Sequence, residues 1–328
     1  MKEAKYYKSL ENGYCECLLC PHHCKIAPNK AGLCRARKNI DGKLYAINYG
    51  RTTSIAVDPI EKKPLYHFHP GSDILSIAPN SCNLFCPYCQ NAEISQMEAP
   101  TEFISPEDLV NIAKRYNSIG VAYTYSEPLT WFEYLLDAGE AIHRAGLVNV
   151  LVTNGMLNPE PLFELIPIID AANIDLKSIR KDFYKNLIKG DLDTVLNFIR
   201  TVKKHWHIEL TNLVVPGYND TDEDFKKLVD FVCSIGDETP LHFSRFFPHY
   251  KMQDVPPTPV DTLLRAYRIA KEKLKYVYIG NVLLEEGNNT YCPYCGNLLV
   301  ERYYFHARVV GIKDKKCTKC NNPVDFVL

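Results

Sequence analysis

Thirteen cysteines stand in this 328-residue chain, and twelve of them fall into three tight groups. The first holds Cys15, Cys17, Cys20, Cys24 and Cys34; the second Cys82, Cys86 and Cys89; the third Cys292, Cys295, Cys317 and Cys320. Only Cys233 stands apart, in the apolar run 228–236, where a small buried hydrophobe is the simplest reading. The first residues show no apolar signal region, so such clusters are read as ligands for metal ions or iron–sulfur clusters before disulfides. An odd total also fits a disulfide framework poorly. Hydrophobic residues at 46% and charged residues at 23% exclude wholesale disorder. Thirty-eight basic residues against thirty-nine acidic ones leave a net charge of −1, which argues against a nucleic-acid partner. No apolar run reaches the roughly eighteen residues of a membrane span, so the expectation is a cytoplasmic protein with no membrane partner.

Between residues 74 and 281 short β-rich runs alternate with amphipathic stretches long enough for a helix each. The expected strands are Ile74–Ala78, Val121–Tyr125, Val148–Thr153, Ala171–Leu176, Ile208–Val215, Leu241–Phe246 and Tyr276–Ile279. Ser105-Pro106-Glu107-Asp108 carries a full helix-start signal, and further starts fall near Pro128, Pro159, Thr221 and Pro259. Val-, Ile- and Leu-rich strands separated by helices imply parallel pairing with helices outside. No Gly-x-Gly-x-x-Gly follows the first strand, which disfavours a dinucleotide-binding sheet. Polar or reactive residues instead follow strand after strand, as they do at the C-terminal face of barrel enzymes. The expected fold is α/β, a partial (β/α)6-type TIM barrel over residues 71–285. A Cys-rich metal-binding segment with a lead-in loop occupies 1–70, and a small zinc-ribbon or rubredoxin-like module 286–328.

The segment Ser81-Cys82-Asn83-Leu84-Phe85-Cys86-Pro87-Tyr88-Cys89 directly follows the first strand. Runs of four cysteines ligate every iron of a cubane cluster, whereas C-x3-C-x2-C supplies three thiolates and leaves one iron open to an external ligand. This spacing resembles that of the radical S-adenosylmethionine (SAM) enzymes. The resemblance implies a 4Fe–4S cluster held by Cys82, Cys86 and Cys89, with the open iron chelated by SAM. One electron then cleaves the sulfonium to methionine and a 5′-deoxyadenosyl radical that abstracts hydrogen. It further implies SAM contacts from Tyr88 at the adenine, from Ser126 and Glu127 in a turn that lacks the family's glycines, and from Asn154. Asp175 and Lys177 resemble the Asp-Leu-Lys strand end of glycyl-radical-enzyme activases, and at i and i+2 they share a strand face. His242, Arg245 and Asn281 complete the expected SAM set.

Further phrases resemble one branch, the radical SAM component of the AmmeMemoRadiSam system. They are Cys17 to Cys24, Tyr49-Gly50-Arg51, Asp58 to Phe68, Asn212 to Asp220, Phe243 to Pro248, and Tyr278 to Val282. By that resemblance Memo-type and AMMECR-type proteins are candidate partners, besides a reductant such as a ferredoxin or flavodoxin. The loop from Asp58 to Pro70 gathers charge and aromatic reach and reads equally as a cover over the barrel mouth or a solvated run.

Cys292-x2-Cys295 and Cys317-x2-Cys320 form two knuckles, the pattern of a tetrahedral four-thiolate ion, zinc or iron, stapling a segment too small for its own core. Cys17, Cys20, Cys24 and Cys34 offer a further four ligands, for zinc or a second iron–sulfur cluster, with Cys15, His22 and His23 as substitutes. The expected activity is radical SAM hydrogen abstraction from a protein, peptide or amino-acid-like substrate. A glycyl-radical-enzyme activase and an electron carrier without SAM chemistry are the alternatives.

Overall fold

The computed structural model describes all 328 residues. Seven parallel strands form its centre: β1 (Asp73–Pro79), β2 (Gly120–Tyr123), β3 (Val148–Thr153), β4 (Ala171–Asp175), β5 (His207–Val214), β6 (Leu241–Arg245) and β7 (Val277–Gly280). Each pairs with the next in chain order. Helices α1 (Pro106–Arg115), α2 (Phe132–Arg144), α3 (Pro159–Leu165), α4 (Leu192–Val202), α5 (Asp222–Ile235) and α6 (Val260–Lys271) form the crossovers. Four starts follow the sequence signals at Pro106, Pro159, Thr221 and Pro259, whereas Pro128 opens a 3-10 turn before α2 and α4 begins at Leu192 without an expected signal. Ser105 Oγ accepts from Asp108 N at 3.0 Å with Pro106 in the first turn, and Thr221 and Asp224 close a capping box on α5. The strands are buried on both faces, as parallel strands under helices must be.

Two departures from expectation bear on the site. The sheet has nine strands, because Arg51–Pro59 pairs antiparallel with β1 and carries Glu102–Phe103 on its outer edge. No ladder joins that edge to β7, so the sheet stays open. The lead-in segment is therefore part of the core sheet rather than separate from it. The strand at β2 also stops at Tyr123, two residues early, because Tyr125 adopts a left-handed φ of 66° and turns the chain.

The segment after Pro59 does not cross the C-terminal rim of the strands. Its Ile60, Leu65 and Phe68 pack with Ile74, Ala122, Val150 and Ala171, sealing the N-terminal end of the sheet. There it meets the C-terminal module. The backbones of His67 and His69 hydrogen bond to both sides of Val327, and Arg302 donates to Tyr66 O at 2.7 Å. Gly71, at φ +84°, lies so close that a Cβ would sit 2.7 Å from Ala307 O. Burial pushes His67 down to about 3, so it is neutral. Its Nδ1–H then donates to Asp325 O at 2.7 Å, and Nε2 accepts from Tyr278 Oη at 2.6 Å. Across the N-terminal end of the chain, Arg37 pairs with Glu133 in an equally buried contact. No helix is long and apolar enough to cross a membrane.

Glu209 anchors this sealed end, accepting from His67 N at 2.7 Å, His207 Nε2 at 3.1 Å and His242 Nε2 at 2.7 Å. Burial alone would raise its carboxyl, but the two imidazoles hold it well below the usual range. A carboxylate whose folded pKa is depressed stabilises fully above its unfolded value near 4.3, and that contribution disappears as pH falls through the folded value. Glu209→Gln should cost about 2 kcal/mol at neutral pH. Denaturant titrations across pH should show a shallower acid limb for the variant than for the wild type.

Candidate functional site

The largest concentration of reactive side chains lies in one cavity at the C-terminal ends of the parallel strands. Cys82, Cys86, Tyr88 and Cys89 form one wall, from the loop that leaves β1. Ser126 and Glu127 follow β2, Asn154 follows β3, Asp175 and Lys177 end β4, and Asn281 follows β7. The thiol loop is pinned from several sides. Phe85 N donates to Ile188 O at 2.9 Å, Gln96 Nε2 to Leu84 O at 3.0 Å, and Lys251 N to Pro87 O at 2.8 Å. Leu84 N points at Cys82 Sγ at 3.4 Å, and Cys89 Sγ lies 3.1 Å from Ser95 Oγ.

Glu127 ties the rim together. Its carboxylate accepts from Leu129 N (3.0 Å), Thr153 Oγ1 (2.6 Å) and Asn154 N (2.8 Å), joining the turns after β2 and β3. Burial pushes it up to about 7 despite those donors. Asn154 Nδ2 in turn donates to Asn83 Oδ1 at 2.9 Å, beside Cys82. Asp175 and Lys177 pair at 2.8 Å. Burial alone would lower Lys177, but Asp175 and the Cys86 thiol outweigh it and hold the ammonium charged. The thiols go the other way: burial pushes Cys86 up to about 11 and raises Cys82 well above the ordinary thiol value. They shed protons only to a bound cation.

The three thiols do not gather within 4.8 Å of one another, as the ligands of a single tetrahedral ion would. They line a wider space with no fourth cysteine in the lining, a donor set that fits a cubane cluster with one iron left for another ligand. The rest of the cavity fits a ligand with polar and aromatic parts. Tyr88 is buried beside Phe183 and Phe246, at 6.3 and 6.5 Å between ring centres. Thr211, which no sequence motif marked, turns into the cavity with its Oγ1 buried and without a partner. Ser244 and Tyr125 also line it and escaped the sequence analysis. Tyr125 reaches from the cavity to Asp58, and Lys63 Nζ stacks 4.3 Å from its ring. The charged loop is thus largely buried and touches the site through that tyrosine.

Two expected SAM contacts lie elsewhere. His242 is the second residue of β6, bound to Glu209 and stacked on Tyr278 at the sealed end, and it does not line the cavity. Arg245 reaches the rim of the sheet, but its Nε donates to Thr258 O at 2.8 Å and its guanidinium covers Phe247. It is absent from the lining.

The two flanking cysteine groups differ from each other. Cys292, Cys295, Cys317 and Cys320 all lie within 4.8 Å, with Cys292–Cys320 and Cys295–Cys317 both at 3.7 Å. Metal–sulfur bonds of about 2.3 Å in a tetrahedron give an edge of about 3.8 Å, so four thiols stand where one ion needs them. Both knuckles turn through a left-handed residue, Gly296 and Asn321. The cysteines at 17, 20, 24 and 34 line a separate recess beside Asn83.

Comparison with known proteins agrees with this geometry. A family model described as the radical SAM superfamily matches residues 76–232. An uncharacterised protein of Methanocaldococcus jannaschii is 47% identical over 337 residues, spanning 100% of both chains. The pyruvate formate-lyase 1-activating enzyme of Escherichia coli is 23% identical over 211 residues, 58% of this chain and 85% of its own. A radical SAM methyltransferase from Sphaerobacter thermophilus superposes with a TM-score of 0.52 at 13% identity, covering 65% of this chain and 67% of that one, a likeness of fold. The superfamily implies a 4Fe–4S cluster and SAM. The chain thus shares a family with the Methanocaldococcus protein, carries the α/β radical SAM fold, and is a SAM-dependent radical enzyme.

Proposed function

We propose that Cys82, Cys86 and Cys89 hold the cluster, and that SAM lies along the rim with its adenine near Tyr88. When bound, cluster and SAM supply one-electron cleavage of the sulfonium, giving methionine and a 5′-deoxyadenosyl radical that takes a hydrogen atom from the substrate. The observation that carries this reading is the three-thiol wall on a cavity built by the ends of parallel strands. The chain's task is positioning and exclusion of water. Asn154 is held by Asn83 and Glu127 in a fixed orientation toward the cavity. Lys177 keeps a positive charge beside Cys86, and Thr211 and Ser244 offer hydroxyls for the ribose or amino-acid part of SAM. No general acid or base is needed for the cleavage, and none is assigned.

The substrate in this reading is a protein, peptide or amino-acid-like molecule. The likeness to activating enzymes favours a glycyl-radical-enzyme activase as the second reading. A low-potential carrier of the ferredoxin or flavodoxin class supplies the electron. The branch phrases make Memo-type and AMMECR-type proteins the partners to test. The C-terminal four-thiol site holds zinc in this reading. It stands at the sealed end of the sheet, away from the cavity, where redox chemistry has no use and a staple for a six-residue buried core does.

After anaerobic reconstitution with iron, sulfide, SAM and dithionite, mass spectrometry should detect 5′-deoxyadenosine. Cys82→Ala, Cys86→Ala and Cys89→Ala should each reduce it to background, while Cys233→Ala should retain it. Full activity in any of the first three refutes the cluster assignment. For the C-terminal site, elemental analysis should find roughly one zinc per chain in protein lacking Cys82, Cys86 and Cys89. Cys295→Ser/Cys320→Ser should lose that zinc and melt at a lower temperature by calorimetry. Iron lost with Cys295→Ser/Cys320→Ser in place of zinc would replace the zinc reading.

A further inference from the structure

The recess at the N-terminus holds four thiols whose spacing and surroundings differ from those of the C-terminal ion site in the same chain. Cys17, Cys20, Cys24 and Cys34 line it together with Arg37 and Asn83. Its backbone is tied around the thiols: Cys17 N donates to Cys24 O at 3.0 Å, His23 N to Cys20 O at 3.3 Å, and Gly32 N to Arg37 O at 2.8 Å. Gly32 is packed close, since a Cβ there would meet Cys24 Sγ at 3.7 Å and Ile26 Cδ1 at 3.1 Å. The other ligands that the sequence offers each have a partner already, including His22, which also lines the recess. Cys15 Sγ donates to Gly42 O at 3.2 Å, His22 Nε2 lies 2.7 Å from Asn83 O, and His23 Nδ1 lies 3.6 Å from Glu16. Four cysteines remain.

A single tetrahedral ion draws its thiolates to an edge of about 3.8 Å, and the C-terminal site shows that spacing. The N-terminal thiols show nothing of the kind: no three of them gather within 4.8 Å, just as Cys82, Cys86 and Cys89 do not. A cube of irons and sulfides holds its outer thiolates farther apart than one ion does. Arg37 supplies a further sign. It is 1% exposed, its Nη1 lies 3.9 Å from Cys17 Sγ, and its Nε–H is buried with no partner. Its charge is already paired with Glu133, but the unpartnered Nε–H is a buried charge-assisted donor beside Cys17 with a hydrogen bond left to give.

We propose that Cys17, Cys20, Cys24 and Cys34 ligate a second 4Fe–4S cluster that relays electrons to the cluster on Cys82, Cys86 and Cys89. The cluster itself stands on the recess alone; the relay rests on the radical reading above. Asn83 connects the two sites. It follows Cys82 in the chain, lines the N-terminal recess, and accepts from Asn154, whose Nδ2 also lies 3.9 Å from Cys82 Sγ. Leu33, beside Cys34, is 54% exposed, so the outer side of the recess is one residue from solvent. An external ferredoxin- or flavodoxin-class donor gives one electron to the outer cluster, taking it from the 2+ to the 1+ state. That electron passes inward, reducing the inner cluster and returning the outer one to 2+.

The test is iron, sulfide and zinc analysis with electron paramagnetic resonance on the full chain, reconstituted anaerobically. Wild type should hold about eight irons and eight sulfides. Cys82→Ala/Cys86→Ala/Cys89→Ala should keep about four of each, with a dithionite-reduced signal indifferent to SAM. Cys20→Ser/Cys34→Ser should lose that half and keep the signal that responds to SAM. In reduced wild type, coupling between near neighbours should broaden the spectrum beyond the sum of the two variants. Zinc without sulfide in the triple-alanine protein overturns the second cluster, and it decides alone if the serine variant does not fold. Two clusters whose signals simply add overturn the relay. Eight sulfides with no response to SAM in wild type would overturn the radical reading and leave the second cluster standing.

Discussion

Parallel pairing in chain order is the constraint on which the rest of this molecule depends. Because each strand from β1 to β7 hydrogen bonds to its successor in the same direction, every strand delivers its last residue to the same rim. Residues as distant as Cys82, Asp175 and Asn281 meet there without any long-range recognition between their loops. The helices outside keep the strands dry on that side, so polar side chains within the strands need partners, as Asn149 finds in Gly139 O and Asn173 in Pro64 O. The rim is then made rigid by local bonds, of which the triple acceptance by Glu127 is the most consequential.

The opposite end is handled by different chemistry. There most polar groups are buried and find partners in a dense set around Glu209, His67, Tyr278 and Arg302, with Arg302 Nε and Glu61 Oε2 left over. This end is closed by packed side chains. It provides a fixed base against which the rim is held, and it recruits the four-thiol module as part of its cover. Reactive and structural cysteines are thereby separated along the strand axis.

Much of this was legible beforehand. All seven parallel strands were located from β-branched runs and helix-start signals, and Val148–Thr153 to the residue. Ten of the twelve residues expected around the cluster and SAM do line one cavity. The failures have physical causes. His242 counts among the expected strand-end residues, although as the second residue of a strand expected and found to begin at Leu241 it belongs at the base. Arg51–Pro59 opens on the polar run Arg51-Thr52-Thr53-Ser54, so its periodicity is weak, and its partner β1 reveals it only in three dimensions. The N-terminal ligand set was undetermined because spacing along the chain says nothing of where Cys15, His22 and His23 point. Thr211 escaped because a lone hydroxyl within a strand carries no signature.

The seal at the base has a consequence for the order in which the molecule is assembled. His67 finds its carbonyl partner 258 positions downstream, in the C-terminal module. The rim, by contrast, takes its wall of thiols from within eight residues of one loop. Contacts of long sequence separation form late, because closing so large a loop costs entropy before any bond repays it. The thiol loop therefore needs no partner from the module to take shape, while the base stays open until the module docks. A chain arrested before the module folds presents Ile60, Leu65 and Phe68 with an incomplete cover, an apolar surface of the sort that chaperones hold and neighbouring chains aggregate on.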